Sequence, residues 1–208
     1  MALSKIQPAS MNLTANYAFT GTNSVAGLDY PEKKLATVTA SGSSSLSFTS
    51  SIDNTYNIYK FRFIDIHPSN NATRLQYNLS VDGGSNYNVA KTTTSFKAYH
   101  DEGDSATALT YETGTDLAQG TGTQFIGDDI SNANDASMSG EMFLFNPSST
   151  TFVKHIITIT STLANGDFAV WNSTGTGYGN TTSAVNAVQF TMSSGTIDSG
   201  RIALYGIK

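Results

Sequence analysis

The feature of this sequence that most constrains its fold is a two-residue rhythm that keeps restarting. In Tyr59-Lys60-Phe61-Arg62-Phe63 aromatics alternate with cations, and Leu75, Tyr77, Leu79 and Val81 alternate with Arg74, Gln76, Asn78 and Ser80. Successive side chains of an extended strand point to opposite faces, so such runs suit strands half-buried on one side. Helical periodicity is hard to find, and the strong helix formers Glu, Lys, Arg and Leu are scarce. After Val81 the run Asp82-Gly83-Gly84-Ser85-Asn86 supplies glycines that tolerate positive φ, so the chain turns there before Tyr87 and Val89 restart the pattern.

Further candidate strands follow at short intervals: Asn12–Thr20, Lys34–Ala40, Ser45–Ser51, Ser95–His100, Ala108–Glu112, Gly140–Asn146, Val153–Ser161, Asp167–Asn172, Ala184–Met192 and Arg201–Ile207. Asn165-Gly166, between two apolar runs, is the best short hairpin signal. About a dozen short strands separated by Gly, Asn and Ser predict an all-β sandwich or barrel rather than βαβ units. Thr113–Ser139, rich in Gly, Asp, Asn and Thr, reads as a long surface connection with a helical turn near Leu117. Gly175-x-Gly177-x-Gly179 reads as a flexible turn, because no helix follows it to present amides to a phosphate. No linker divides the chain, so residues 11–208 are expected to form one domain preceded by an arm of residues 1–10. Pro8 separates Lys5 and Ile6 from the first strand, and this arm is either an anchor or a frayed end.

Composition narrows the function. There is no cysteine, which removes disulfides, thiolate metal sites and cysteine nucleophiles. Charged residues are only 13% of the chain, against about 25% in ordinary domains, while serine and threonine make up roughly a quarter. With 38% hydrophobic and 11% aromatic residues there is enough to bury, so the polar excess does not imply disorder. A net charge of −5 argues against a non-specific nucleic-acid partner, which would require a basic stripe. No apolar run approaches the ~20 residues of a membrane span, and Met1–Pro8 lacks the apolar core of a secretory signal.

Chemistry-bearing patterns are sparse. His67, His100 and His155 show no metal-ligand spacing. His67, ahead of Pro68, reads as a loop residue, and His155 as half-buried on the Val153/Ile157 face of a strand. His100-Asp101-Glu102-Gly103-Asp104 and Asp128-Asp129 could offer carboxylates to a cation, but they lack the ordered spacing of a calcium loop and read as solvated turns. No Gly-x-Ser-x-Gly elbow is present, and the acids lie in turns rather than flanking a cleft. The expectation is therefore a protein that is not an enzyme and holds no cofactor or metal. Trp171, the only tryptophan, and Tyr178 are the candidate ligand-facing residues. Trp171 either stacks on a sugar ring or alternates inward with Ala169 and fills the core.

Several stretches, taken together, resemble small structural proteins of marine tailed bacteriophages, especially those of cyanobacteria. They are Met1–Ile6, Tyr59–Pro68, Ser80–Tyr87, Leu144–His155, Gly177–Thr182 and Gly195–Ile207, of which the closing Ser-Gly-x-Ile-x-Leu-Tyr-Gly-Ile is the most telling. The resemblance implies a jelly-roll-like antiparallel β-sandwich, made in the host cytoplasm without a signal peptide and carried in several copies on a virion. It implies capsid decoration or a head or tail fibre, with a homotrimer as the assembly and the major capsid or tail proteins as partners. It supplies no catalytic residues. The other class of function is a carbohydrate-binding module for a host surface glycan, with Trp171, Tyr178 and the 113–139 connection nearest the ligand. The final apolar strand, with Ile202, Leu204, Tyr205 and Ile207, is buried either in the domain's own core or between subunits.

Overall fold

The chain divides into two units, Met1–Tyr30 and Pro31–Lys208, and the computed structural model describes residues 31–208. The arm with Lys5 and Ile6, and the candidate strand Asn12–Thr20, lie outside the described residues. Twelve strands make up the second unit: β1 (Glu32–Thr39), β2 (Leu46–Phe48), β3 (Ile58–Pro68), β4 (Thr73–Ser80), β5 (Lys91–Asp101), β6 (Thr107–Tyr111), β7 (Gln124–Ile130), β8 (Met138–Phe145), β9 (Lys154–Leu163), β10 (Ala169–Gly179), β11 (Ala187–Met192) and β12 (Ile197–Ile207). They form two antiparallel sheets, one in the order β1-β12-β3-β8-β9-β10-β5-β6 and the other β2-β11-β4-β7.

The pairings are nested: β1 with β12, β2 with β11, β3 with β8 and β4 with β7. A long two-stranded ribbon folded over so that β12 meets β3 and β11 meets β4 generates this order, which is a jelly roll. Two hairpins extend it. β9–β10 follows β8, and β5–β6, inserted between β4 and β7, docks on β10, so the first sheet grows to eight strands while the second keeps four.

Alternation places the core where the rhythm predicted. Tyr59, Phe61 and Phe63 of β3, Leu75, Tyr77 and Leu79 of β4, and Ile202 and Leu204 of β12 are all buried between the sheets. Phe190 of β11 sits among Phe48, Phe61 and Phe63 with ring centroids 5.3–6.2 Å apart in edge-to-face geometry. Each such side chain contributes about 1.5–3 kcal/mol by leaving water. Ile202 and Leu204 therefore belong to the domain's own core, while Tyr205 and Ile207 are half-buried on the other face of β12.

Two sequence expectations are corrected. The 113–139 stretch contains β7 and holds no helical turn; Leu117 instead runs alongside β5, its carbonyl accepting from Thr93 N at 2.9 Å and its amide donating to Thr93 Oγ1 at 2.8 Å. β7 escaped notice because Gln124-Phe125-Ile126-Gly127-Asp128-Asp129-Ile130 does not alternate, and its pairing with β4 is broken by register shifts. Gly175 and Gly177 lie in the interior of β10 and Gly179 is its last residue, so none of the three is in a turn. The β9–β10 hairpin forms where Asn165-Gly166 predicted, with Asp167 N donating to Ala164 O at 2.9 Å, but positive φ falls on Gly166 and Asp167 rather than on Asn165.

Candidate functional site

Trp171 and Tyr178, the two residues expected to face a ligand, both lie on β10, which is flanked by β9 on one side and by β5 and then β6 on the other. The register of these strands assigns each side chain to a face. Facing the second sheet are Lys154, Ile156, Thr158, Thr160 and Thr162 of β9, opposite Trp171, Ser173 and the three glycines of β10, which in turn meet Lys91, Thr93, Ser95, Lys97 and Tyr99 of β5. This inner face is mostly polar, and all three lysines of these strands point into it. Lys154 is capped by three carbonyls, Ser149 O at 2.6 Å, Phe152 O at 2.7 Å and Thr181 O at 3.2 Å. Lys91 donates to Asn78 Oδ1 at 2.5 Å and Val89 O at 2.9 Å, and burial pushes its ammonium down to about 8.

Nearer the β6 end an ion-pair chain joins the sheets. Lys97 Nζ lies 3.3 Å from Asp128, 3.4 Å from Glu112 and 3.6 Å from the centre of the Trp171 ring. Asp128 is paired in turn with Arg74, whose guanidinium stands 5.1 Å from the Phe125 ring. Burial, reinforced by the charge of Asp128, raises the pKa of Asp129. A narrow cleft of about 20 Å3 beside this chain is lined by Ser95, Glu112, Thr115, Asp128, Thr158 and Ser173. Ser173 Oγ is buried there without a partner among the described residues, as are Thr162 Oγ1 and Trp171 Nε1 elsewhere on β9 and β10. Each carboxylate is already held by a cation, and Ser95 Oγ is paired with Thr115 Oγ1 at 2.6 Å. The arrangement ties the two sheets together and places no histidine next to a hydroxyl nucleophile.

Trp171 and Tyr178 are not brought together. Seven residues apart on one continuous strand, they point to opposite faces. Trp171 turns inward as its alternation with Ala169 predicted, but it packs against Lys97 and Tyr99 rather than entering the aromatic core. Tyr178 faces outward, its ring 6.4 Å from that of His155, and its hydroxyl accepts from Gln119 Nε2 at 3.3 Å. With Phe145, Ile157, Thr92, Thr94 and Thr176 this pair lines a shallow groove. Parity alone would have separated the two residues had the glycines been read as strand.

The histidines also moved. His155 is exposed, not half-buried, because the even-numbered residues of β9 face inward. His67 lies within β3, not in a loop, and its Nε2 meets Ala133 O at 3.1 Å. His100 Nε2 is 3.2 Å from Asp104, and the Asp101 carboxylate accepts from the Ser105 hydroxyl and from the Ala106 and Ser105 amides, which lowers its pKa and makes that acidic run a capped turn. Among the described residues no three His, Asp or Glu side chains converge as metal ligands.

What the sequence reading missed is the outer face of the same strands. Ile157 and Ile159 of β9, Val170 of β10, Phe96 of β5, and Leu109 and Tyr111 of β6 all point to solvent there, with Leu109 71% exposed and Tyr111 54%. A signal existed: β9 carries isoleucine at both parities, Ile156 inside and Ile157 and Ile159 outside, the composition of a strand covered on both faces. No protein-family model matches the chain, and no curated protein matches it in sequence.

Proposed function

We propose that this chain is a non-enzymatic virion structural protein of a tailed phage, a capsid decoration protein or a head or tail fibre component, acting through multivalent protein–protein contacts. The observation that carries the reading is the broad apolar outer face of β9, β10, β5 and β6, which the domain's own core does not use. Apolar surface of this extent on a folded domain marks an interaction site. The jelly-roll topology is one that capsid and lectin domains share, and it agrees with the resemblance noted in the sequence. Repetition in several copies, three in the arrangement that resemblance implies, would sum modest contacts into durable attachment. The test is labelled protein added to purified heads and tails of the phage that encodes it. Saturable attachment to one of them is expected; attachment to neither, or turnover of a polysaccharide by the purified chain, overturns the reading.

The groove of Tyr178, His155 and Phe145 favours a second reading, a glycan-binding surface on the same particle component, since a half-exposed aromatic row accepts sugar rings. A glycan array probed with the wild type and a folded Tyr178→Ala variant tests it: binding lost in the variant supports it, and no binding by the wild type removes it. Trp171, turned inward under Lys97, is no longer the residue to change.

A further inference from the structure

We propose that the outer face of β9–β10–β5–β6 is the surface through which this chain binds further copies of itself. This rests on the building-block reading above and adds to it the partner and the residues.

The argument begins with charge. Not one outward position on these four strands carries Asp, Glu, Lys or Arg; the outward residues are His155, Ile157, Ile159, Ser161 and Leu163 on β9, with His100 of β5 and otherwise Thr, Asn, aliphatic and aromatic side chains on β10, β5 and β6. The lysines of the same strands point inward. This half of the sheet is thus inside-out relative to the usual rule of charge outside and apolar residues within. The other half of the same outer face is ordinary: Lys60 and Arg62 of β3 pair with Glu32 of β1, Arg62 at 2.9 Å, and Glu141 of β8 lies 3.9 Å from Lys60. The change from charged to uncharged follows the boundary between β8 and the added hairpins.

The apolar residues recur on every strand, interleaved with uncharged polar ones. Leu163 is directly across from Val170, Ile159 from Thr174, Thr174 from Phe96, Phe96 from Tyr111, and Ala98 from Leu109. Four strands of these lengths cover about 600 Å2 of flat surface, close to the ~800 Å2 each partner gives to a stable interface.

Identity of the occupant follows from neutrality. A nucleic acid or an anionic membrane would call for cations on this face, and a charged protein partner for countercharges. A second copy calls for neither, and it meets a surface of its own character. Two chains that each carry a net charge of −5 repel least where the contact itself is uncharged. The edge strand β6, Thr107–Tyr111, lacks the lysine or proline that usually guards an edge against such contact.

Light scattering on the full chain over a range of concentrations tests this, with Phe96→Lys, Leu109→Lys and Ile159→Lys as variants. All three positions are exposed, so circular dichroism and melting should match the wild type. Leu109→Ser removes the apolar contact without adding charge and serves if a lysine disturbs the sheet. The wild type should self-associate, with each lysine weakening association roughly 100-fold. Thr37→Lys, on the far side of the same sheet, should leave the assembly intact. A monomeric wild type, or folded lysine variants as associated as the wild type, overturns the proposal. Attachment to phage heads or tails without self-association sinks this surface and leaves the building-block reading standing; self-association without attachment sinks that reading alone.

Discussion

Lys91 is the residue whose environment departs furthest from its chemistry. It is fully buried, its ammonium donates to an amide oxygen and a carbonyl, and among the described residues no carboxylate is hydrogen-bonded to it. Burial lowers its pKa from 10.5 to about 8. Between those values the unfolded chain holds a proton that the folded one has released, so stability rises with pH across this window. Below pH 8 both states are charged and the destabilisation is complete. Tyr59, pushed by burial up to about 12, and Tyr77, raised further for the same reason, act oppositely: above pH 10 the unfolded chain loses protons that the fold retains, and stability falls. Urea unfolding should therefore give a maximum near pH 10, with a gain from pH 8 of at most about 3 kcal/mol. In Lys91→Met the rise between pH 8 and 10 should shrink to the part left by Lys154, whose pKa burial also lowers, while the fall above pH 10 remains.

At the scale of elements, β10 depends on the absence of side chains. It lies between β9 and β5, and a Cβ on Gly177 would meet Thr92 O and Thr93 Cγ2, each at 2.6 Å. The first is backbone and cannot rotate away, so Gly177→Ala should cost about 1–3 kcal/mol in a thermal or denaturant melt. Thr176→Ala, pointing outward one residue earlier, should stay within about 0.5 kcal/mol. Turns behave more locally. Asp82 accepts from Ser80 Oγ at 2.6 Å and from Asn86 N at 2.9 Å, hydrogen bonds that hold its carboxyl down to about 2, and the turn read from Asp82-Gly83-Gly84 is present. Its destination was not readable, because it carries the chain from β4 in one sheet to β5 in the other rather than closing a hairpin.

For the whole molecule the nested jelly-roll pairs and the added hairpins should differ in local stability. β3, β12, β4 and β11 are paired on both sides and hold the aromatic core, whereas β6 is paired only with β5 and has no fully buried residue. Native-state hydrogen exchange should find the slowest amides in the first group and the fastest strand amides in β6; the reverse order would contradict this picture. The β class, the strands of the jelly-roll core apart from β7 and their inward residues were legible in the sequence because period-2 alternation is a local consequence of one buried face, as in Tyr59, Phe61 and Phe63. Alternation fails where neither face is simply apolar. β7 places Asp128 in the ion-pair chain, β10 is made of glycines that fit between neighbours, and β9 has isoleucine on both sides, so none of these states its inward face in its own residues. Sequence by itself determined that the chain would be strands with these turns. Only tertiary structure decided which strands lie side by side, and hence that Lys97, Asp128, Glu112 and Trp171 meet inside while Phe96, Leu109 and Ile159 share an outer face, because pairing partners distant in sequence set each strand's phase.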